Sequence, residues 1–274
     1  MVLFLVASGL SLIFGVMSVL NFAHGSYYMF GAFFCYELVK LIGGTVGFWT
    51  SMIIASFLIA LIGLIIEFVL MRRTYVMGHI PQLLLTYGLV LIAGDIVRMG
   101  WGGRFYSITR PGWIAGSASI LGVEFPLYNI FVILLGFGVF AGLWTLIYKT
   151  KLGMIIRAAV TDRELVSALG IPIPKLFTLV FALGIFLAGI AGGAYAPLST
   201  ISVGMDVSLL IESFAVIIVG GVGRLTGTLL GALIVGEVYS FGILVVPDFA
   251  LAFIFLIMVI VLIVRPFGLL GKPI

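Results

Sequence analysis

Charge is what this sequence has least of. Of 274 residues, 14 are lysine or arginine and 10 are aspartate or glutamate, a charged share of 9% against roughly 25% in an average soluble domain. A water-soluble globule is excluded. The single cysteine, Cys35, sits in an apolar run, which excludes an intrachain disulfide and a cysteine metal site. The two histidines, His24 and His79, lie too far apart for a helical metal pair, so no metal site is expected. A net charge of +4 comes without the basic cluster that nucleic acid requires. No Gly-x-x-x-x-Gly-Lys-Ser/Thr phosphate loop occurs, since Gly223-Arg224 and Gly271-Lys272 lack the following hydroxyl. Nor do His, Cys or paired carboxylates cluster at catalytic spacing, so an enzyme is not expected.

What is present is apolar: 63% hydrophobic residues and a mean hydropathy of +1.37. A span takes about 20 apolar residues, so eight or nine would use roughly 160 to 180 and leave about 100 for loops. No separate extramembrane domain fits, and residues 1–274 read as one membrane domain. The 36 glycines suit helices that pack backbone to backbone in lipid. Stretches such as 52–66 are apolar on nearly every side, unlike alternating barrel strands. The expected class is therefore all-α, a polytopic transmembrane bundle.

The segments fall at about 1–20, 27–42, 46–71, 80–98, 127–148, 176–197, 209–222, 225–246 and 248–264. The short ones, 27–42 and 209–222, are candidates for broken or re-entrant helices. The N-terminus has no basic region and no cleavage pattern, so it reads as bundle rather than signal peptide. Alternate threading places Arg72, Arg73, Lys149, Lys151, Arg157, Arg163, Lys175, Arg224, Arg265 and Lys272 on one side. Lys40, Arg98, Arg104 and Arg110 fall on the other. The richer side is expected to be cytoplasmic, with the C-terminus and the loop 149–175.

That loop carries its own helix signal. Thr161 and Glu164 have capping-box spacing, Leu165, Val166, Ala168 and Leu169 supply an apolar face, and Gly170 with Pro172 stops the helix. Such a helix can lie across the cytoplasmic face or rest on lipid headgroups.

Residues 157–171 (RAAVTDRELVSALGI) resemble the coupling loop of the Liv-type branched-chain amino acid ABC transporter permeases. Three further stretches carry the resemblance in the same order: 9–25 (GLSLIFGVMSVLNFAHG), 220–231 (GGVGRLTGTLLG) and 265–273 (RPFGLLGKP). The resemblance implies an inner-membrane permease subunit that couples to ATPases through Arg157, Ala158, Ala159, Asp162, Glu164, Gly170 and Ile171. It implies as partners two ABC ATPase subunits, a second homologous permease or a second copy, and an extracytoplasmic solute-binding protein. ATP and magnesium would then belong to the ATPases and no cofactor to this chain. Two departures stand out. Family members carry a further stretch before the position of Val6, so this chain is expected to begin inside its first span. Arg157 replaces the acid that opens the loop in other importers.

Small residues recur every four positions at Gly184, Ala188 and Gly192, and at Gly223, Gly227 and Gly231. Each row makes a smooth stripe for packing within the chain, or for a subunit interface or sliding surface. Asn21, His24 and Gly25 interrupt the apolar N-terminal region, either as a helix break facing a cavity on the translocation path or as a short cytoplasmic turn. Glu237 lies midway along a span with no basic residue at i+3 or i+4, a candidate for the path or for an inter-helix hydrogen bond. Glu67 reads as snorkelling near Arg72, and Asp95–Arg98 and Glu37–Lys40 as surface i,i+3 pairs. The expected solutes are branched-chain amino acids. Urea, short amides or another small organic solute form the alternative within this architecture, and a self-sufficient channel or ion-coupled carrier the alternative outside it.

Overall fold

The computed structural model describes residues 1–75, 77–120 and 122–271. Lys272 and Pro273, used above in the charge threading and the tail motif, lie outside them. The chain opens with α1 (Val2–Met17), α2 (His24–Ile42) and α3 (Gly44–Ile66), which runs through a π-helical turn (Glu67–Met71) into α4 (Arg72–Thr74). Then come α5 (His79–Trp101), the strands β1 (Ser117–Ile120) and β2 (Val123–Pro126), and α6 (Leu127–Lys149). After α7 (Lys151–Thr161) and α8 (Arg163–Ala168), the chain ends in α9 (Ile173–Tyr195), α10 (Met205–Gly220), α11 (Leu225–Val245) and α12 (Ala250–Val264).

All nine apolar segments are helical, and the fold is the expected bundle. The span count is lower than eight or nine. Among the described residues, six helical stretches are long and apolar enough to cross a membrane: Val46–Thr74, His79–Trp101, Leu127–Lys149, Ile173–Tyr195, Leu225–Val245 and Pro247–Val264. The reason lies in length and polarity. Helices α1 and α10 have 16 residues each, about 24 Å of rise against the ~30 Å hydrocarbon core. Helix α2 has 19 residues but carries His24, Ser26, Glu37 and Lys40.

Helix α9 is the centre. Its most apolar window is 67% buried, against 17–28% for the other five spans, and α1, α2 and α3 pack around it. Small residues make that feasible, because a Cβ on Gly189 would lie 2.8 Å from Ser56 Cα of α3, and one on Gly31 of α2 would lie 2.8 Å from Gly189 Cα. Gly184 faces Gly9 and Ile13 of α1, Gly192 faces Tyr28 of α2, and Ala188 is fully buried. The row 184–188–192 thus packs within the chain. Gly227 and Gly231 press against Gly220 and Val216, closing the α10–α11 hairpin. Gly223 is not on that stripe: it sits in the preceding turn with φ +71° and faces Gly15 of α1.

Between α1 and α2 the chain turns back into the bundle. Ser18 closes α1 in a left-handed conformation (φ 57°), and by His24 the ring has returned to the level of Val6, whose carbonyl accepts from Nε2 at 3.0 Å. Val6 lies eleven residues before Met17, about 16 Å along the helix. Helix α2 therefore starts deep inside. Opposite the α7–α8 end, β1 and β2 form an antiparallel hairpin pairing Ser117 with Pro126 and Ala118 with Phe125, in a stretch outside the nine apolar segments.

Candidate functional site

Three features of this frame hold chemistry. At one end, α6 hands over to α7 at Thr150, whose hydroxyl accepts from the Gly153 amide at 3.1 Å. Asp162 then ends α7 and caps α8, its carboxylate accepting from the Leu165 amide at 2.9 Å. The capping box expected at Thr161 and Glu164 is corrected by one residue. Thr161 is still inside α7, where its hydroxyl donates to the Arg157 carbonyl at 3.2 Å. Gly170, with φ +81°, stops α8 as expected, and the Ile171 amide donates back to the Val166 carbonyl at 3.3 Å. The apolar face is also narrower than expected: Val166 alone is buried, while Leu165 and Leu169 are 59% and 72% exposed. Met154 and Val160 on α7 are also exposed, so α7–α8 carries uncovered apolar side chains among the exposed Arg157, Ala158, Asp162 and Glu164. Ala159 faces inward. Arg157 folds back, donating to the Ile147 carbonyl with its guanidinium over the Tyr148 ring.

Arg163 makes the contact that sequence reasoning missed. Its guanidinium donates to the Val16 carbonyl (3.1 Å) and the Ser18 hydroxyl (3.0 Å) at the end of α1, and lies 5.3 Å over the Phe177 ring of α9. Phe177 meets Tyr75 edge-on at 5.6 Å. The Tyr75 hydroxyl in turn donates to Glu67 Oε1 at 2.8 Å. Glu67 is fully buried rather than snorkelling: Thr178 donates to its Oε2 at 2.8 Å, Arg72 sits 3.6 Å away, and Arg72 donates to Thr178 at 2.6 Å. The π-helical turn begins at Glu67, and Thr178 of α9 receives its carboxylate. The outer pairs Glu37–Lys40 (3.8 Å) and Asp95–Arg98 (3.6 Å) form as expected.

At the opposite end lies a cavity of about 660 Å³ between the first residues of α1 and helices α2, α6, α9, α10 and α11. Its polar wall includes Tyr28, Asn129, Tyr195, Ser208, Glu212 and Tyr239. Asn21, His24, Gly25 and Glu237 do not line it. Asn21 and His24 are buried against protein, with Asn21 Nδ2 and His24 Nδ1 unpartnered among the described residues. Gly25 is in close contact with Asp206, where the N-termini of α2 and α10 meet, and Ser26 donates to Asp206 Oδ2 at 2.9 Å. Glu237 is exposed, next in sequence to the wall residue Gly236. The acid in the cavity is instead Glu212. Its signal in the sequence is the polar pair Ser208 and Glu212, one turn apart on a helix whose other polar residues are Asp206 and Ser213.

Comparison with known proteins places this geometry. A family model described as branched-chain amino acid transport system, permease component, matches residues 1–262. The high-affinity branched-chain amino acid transport system permease protein BraD of Pseudomonas aeruginosa is 28% identical over 281 residues, covering 98% of this chain and 91% of that protein. The corresponding permease protein LivH of Escherichia coli is 25% identical over 289 residues, with coverage of 98% and 91%. A probable branched-chain amino acid transport permease protein LivH of Methanocaldococcus jannaschii is 28% identical, covering 98% of this chain and 88% of its own length. No solved structure matches. A helical membrane bundle matched by that family model over nearly all its length belongs to the branched-chain amino acid transport system permease family, and this chain is a multi-pass membrane permease component.

Proposed function

We propose that this chain forms the translocation path of an ABC importer for branched-chain amino acids and that α7–α8 is the surface on which an ATPase subunit docks. The observation that carries the reading is the uncovered apolar surface of α7–α8, joined by Arg163 to the ends of α1 and α9. A partner pressing on α8 moves groups held by two core helices at once. Arg157, Ala158, Asp162, Glu164 and Gly170 present or shape that surface, with Ala159 and Ile171 packing it against the bundle. By lysine and arginine content this end and the C-terminus are cytoplasmic, in the inner membrane of the cell. ATP and magnesium work in two ATPase subunits, and this chain needs no cofactor. A second permease, related or identical, completes the path, and an extracytoplasmic binding protein delivers solute to the cavity end.

In this scheme the cavity lined by Glu212 is the solute-accessible part of the path. The buried junction of Asn21, His24 and Gly25 is the hinge at which α2 and α10 shift between inward- and outward-facing packings, and Glu237 flanks the cavity. Charge reversal tests the docking surface. Asp162→Arg or Arg157→Glu should leave the permease inserted in membranes but remove most of the ATPase that co-purifies with it. Unchanged co-purification and unchanged leucine uptake in both variants would overturn the reading.

A further inference from the structure

We infer that Glu212 is the ammonium-binding residue of the cavity, with Tyr28, Tyr195 and Tyr239 as an aromatic surround, so that the cavity selects solutes bearing a primary ammonium. The inference rests on the reading of the cavity as part of the solute path. Three acids are buried among the described residues. Glu67 is held by Thr178, Tyr75 and Arg72, and Asp206 by Ser26. Glu212, 8% exposed, has no hydrogen-bond or ion-pair partner among the described residues, and it alone of the three lines the cavity. A carboxylate at membrane depth without a counter-charge is unfavourable, and such residues mark the routes of polar solutes.

The cavity wall does not supply the missing charge. Among the described residues its side chains include no lysine, arginine or histidine. Three tyrosines line the same cavity as Glu212. Tyr28 and Tyr195 stand with ring centroids 5.8 Å apart, and Tyr239 is the third. Tyrosine rings attract a cation over their faces and carry hydroxyls for the remaining N–H groups. Val132, Ile133 and Leu209 line the same cavity and offer an apolar seat for an aliphatic side chain. A branched-chain carboxylic acid without the amino group would bring a negative charge toward Glu212 and be rejected.

The test uses Ser208→Cys, one turn from Glu212, in the detergent-solubilised permease–ATPase complex, where Cys35 is fully buried. Two thiol reagents of equal size are compared, one carrying a trimethylammonium and the other a sulfonate. The expected result is modification about tenfold or more faster by the cation, as a focused negative charge gives. Glu212→Gln should abolish that preference and Glu212→Asp should keep it, which guards against a glutamine variant that fails to fold. L-leucine should slow modification, whereas 4-methylpentanoate, the same chain without the ammonium, should not. Equal rates for both reagents, or equal protection by both compounds, would overturn the ammonium inference while leaving the cavity a solute path. A cysteine unreactive to both reagents would overturn the path reading and the inference with it.

Discussion

Arg163 donates to the Val16 carbonyl at 3.1 Å and to the Ser18 hydroxyl at 3.0 Å, so the short helix α8 is tied to the last turn of α1 across 147 and 145 residues of sequence. Ser18 is the one non-glycine residue with positive φ among the described residues, which marks the joint at which the chain reverses into the bundle. The contact connects the proposed docking surface to α1, and through Phe177 to α9.

Removing it should separate ATP hydrolysis from transport. In the assembled importer, Arg163→Ala is expected to keep its ATPase subunits and hydrolyse ATP while leucine moved per ATP falls roughly threefold to tenfold. That matches the loss of one or two partly solvated charged hydrogen bonds at about 1 kcal/mol. Arg163→Lys, which keeps the charge but not the planar fork, should recover part of the loss. Uptake and phosphate release measured on the same proteoliposomes read the ratio. An unchanged ratio in Arg163→Ala would show that α8 acts through other contacts.

The Glu67 cluster should behave as a paired buried charge. Arg72→Met leaves the Glu67 carboxylate buried without its cation and is expected to destabilise the protein by about 3–5 kcal/mol. Thr178→Val, which removes a hydroxyl between them, should cost about 1–3 kcal/mol. The double variant Glu67→Gln/Arg72→Met should regain most of the loss, because no bare charge remains. Thermal unfolding in detergent distinguishes these outcomes. Equal destabilisation by the single and double variants would mean that packing, not charge pairing, holds this end.

Glycine positions should divide by what they touch. Gly189→Val puts a branched side chain against Ser56 and should cost more than the usual 1–3 kcal/mol of overpacking, since the obstacle at Ser56 includes backbone. Gly94→Val on α5, where nothing lies within 4 Å of an added Cβ, should change stability little. Yield of monodisperse protein and its unfolding midpoint give the comparison.

The sequence made the nine apolar segments legible because hydrophobic length and glycine punctuation act locally, as do the pairs Asp95–Arg98 and Glu37–Lys40 and the stop at Gly170. Contacts between distant segments were not legible. Glu67 gave no sign that Thr178, 111 residues away, would receive it, so it looked like a snorkelling acid beside Arg72. Glu237 drew attention by lying midway along a span, while Glu212 stood near the start of a shorter one. The cavity assembled from six helices reverses that order. The cap at Asp162 rather than Thr161 was a one-residue error in a stretch with oxygen-bearing side chains at both positions. The hairpin β1–β2 is joined by cross-strand pairing in a stretch outside the nine apolar segments.

The most direct measurement is ATP-driven uptake of labelled leucine into proteoliposomes containing this chain, its partner permease, two ATPase subunits and the binding protein. Uptake should require ATP and every component, and should be lost when Asp162→Arg prevents ATPase docking. Leucine flux of equal rate without ATP or the ATPase subunits would contradict the account and identify the chain as a self-sufficient carrier.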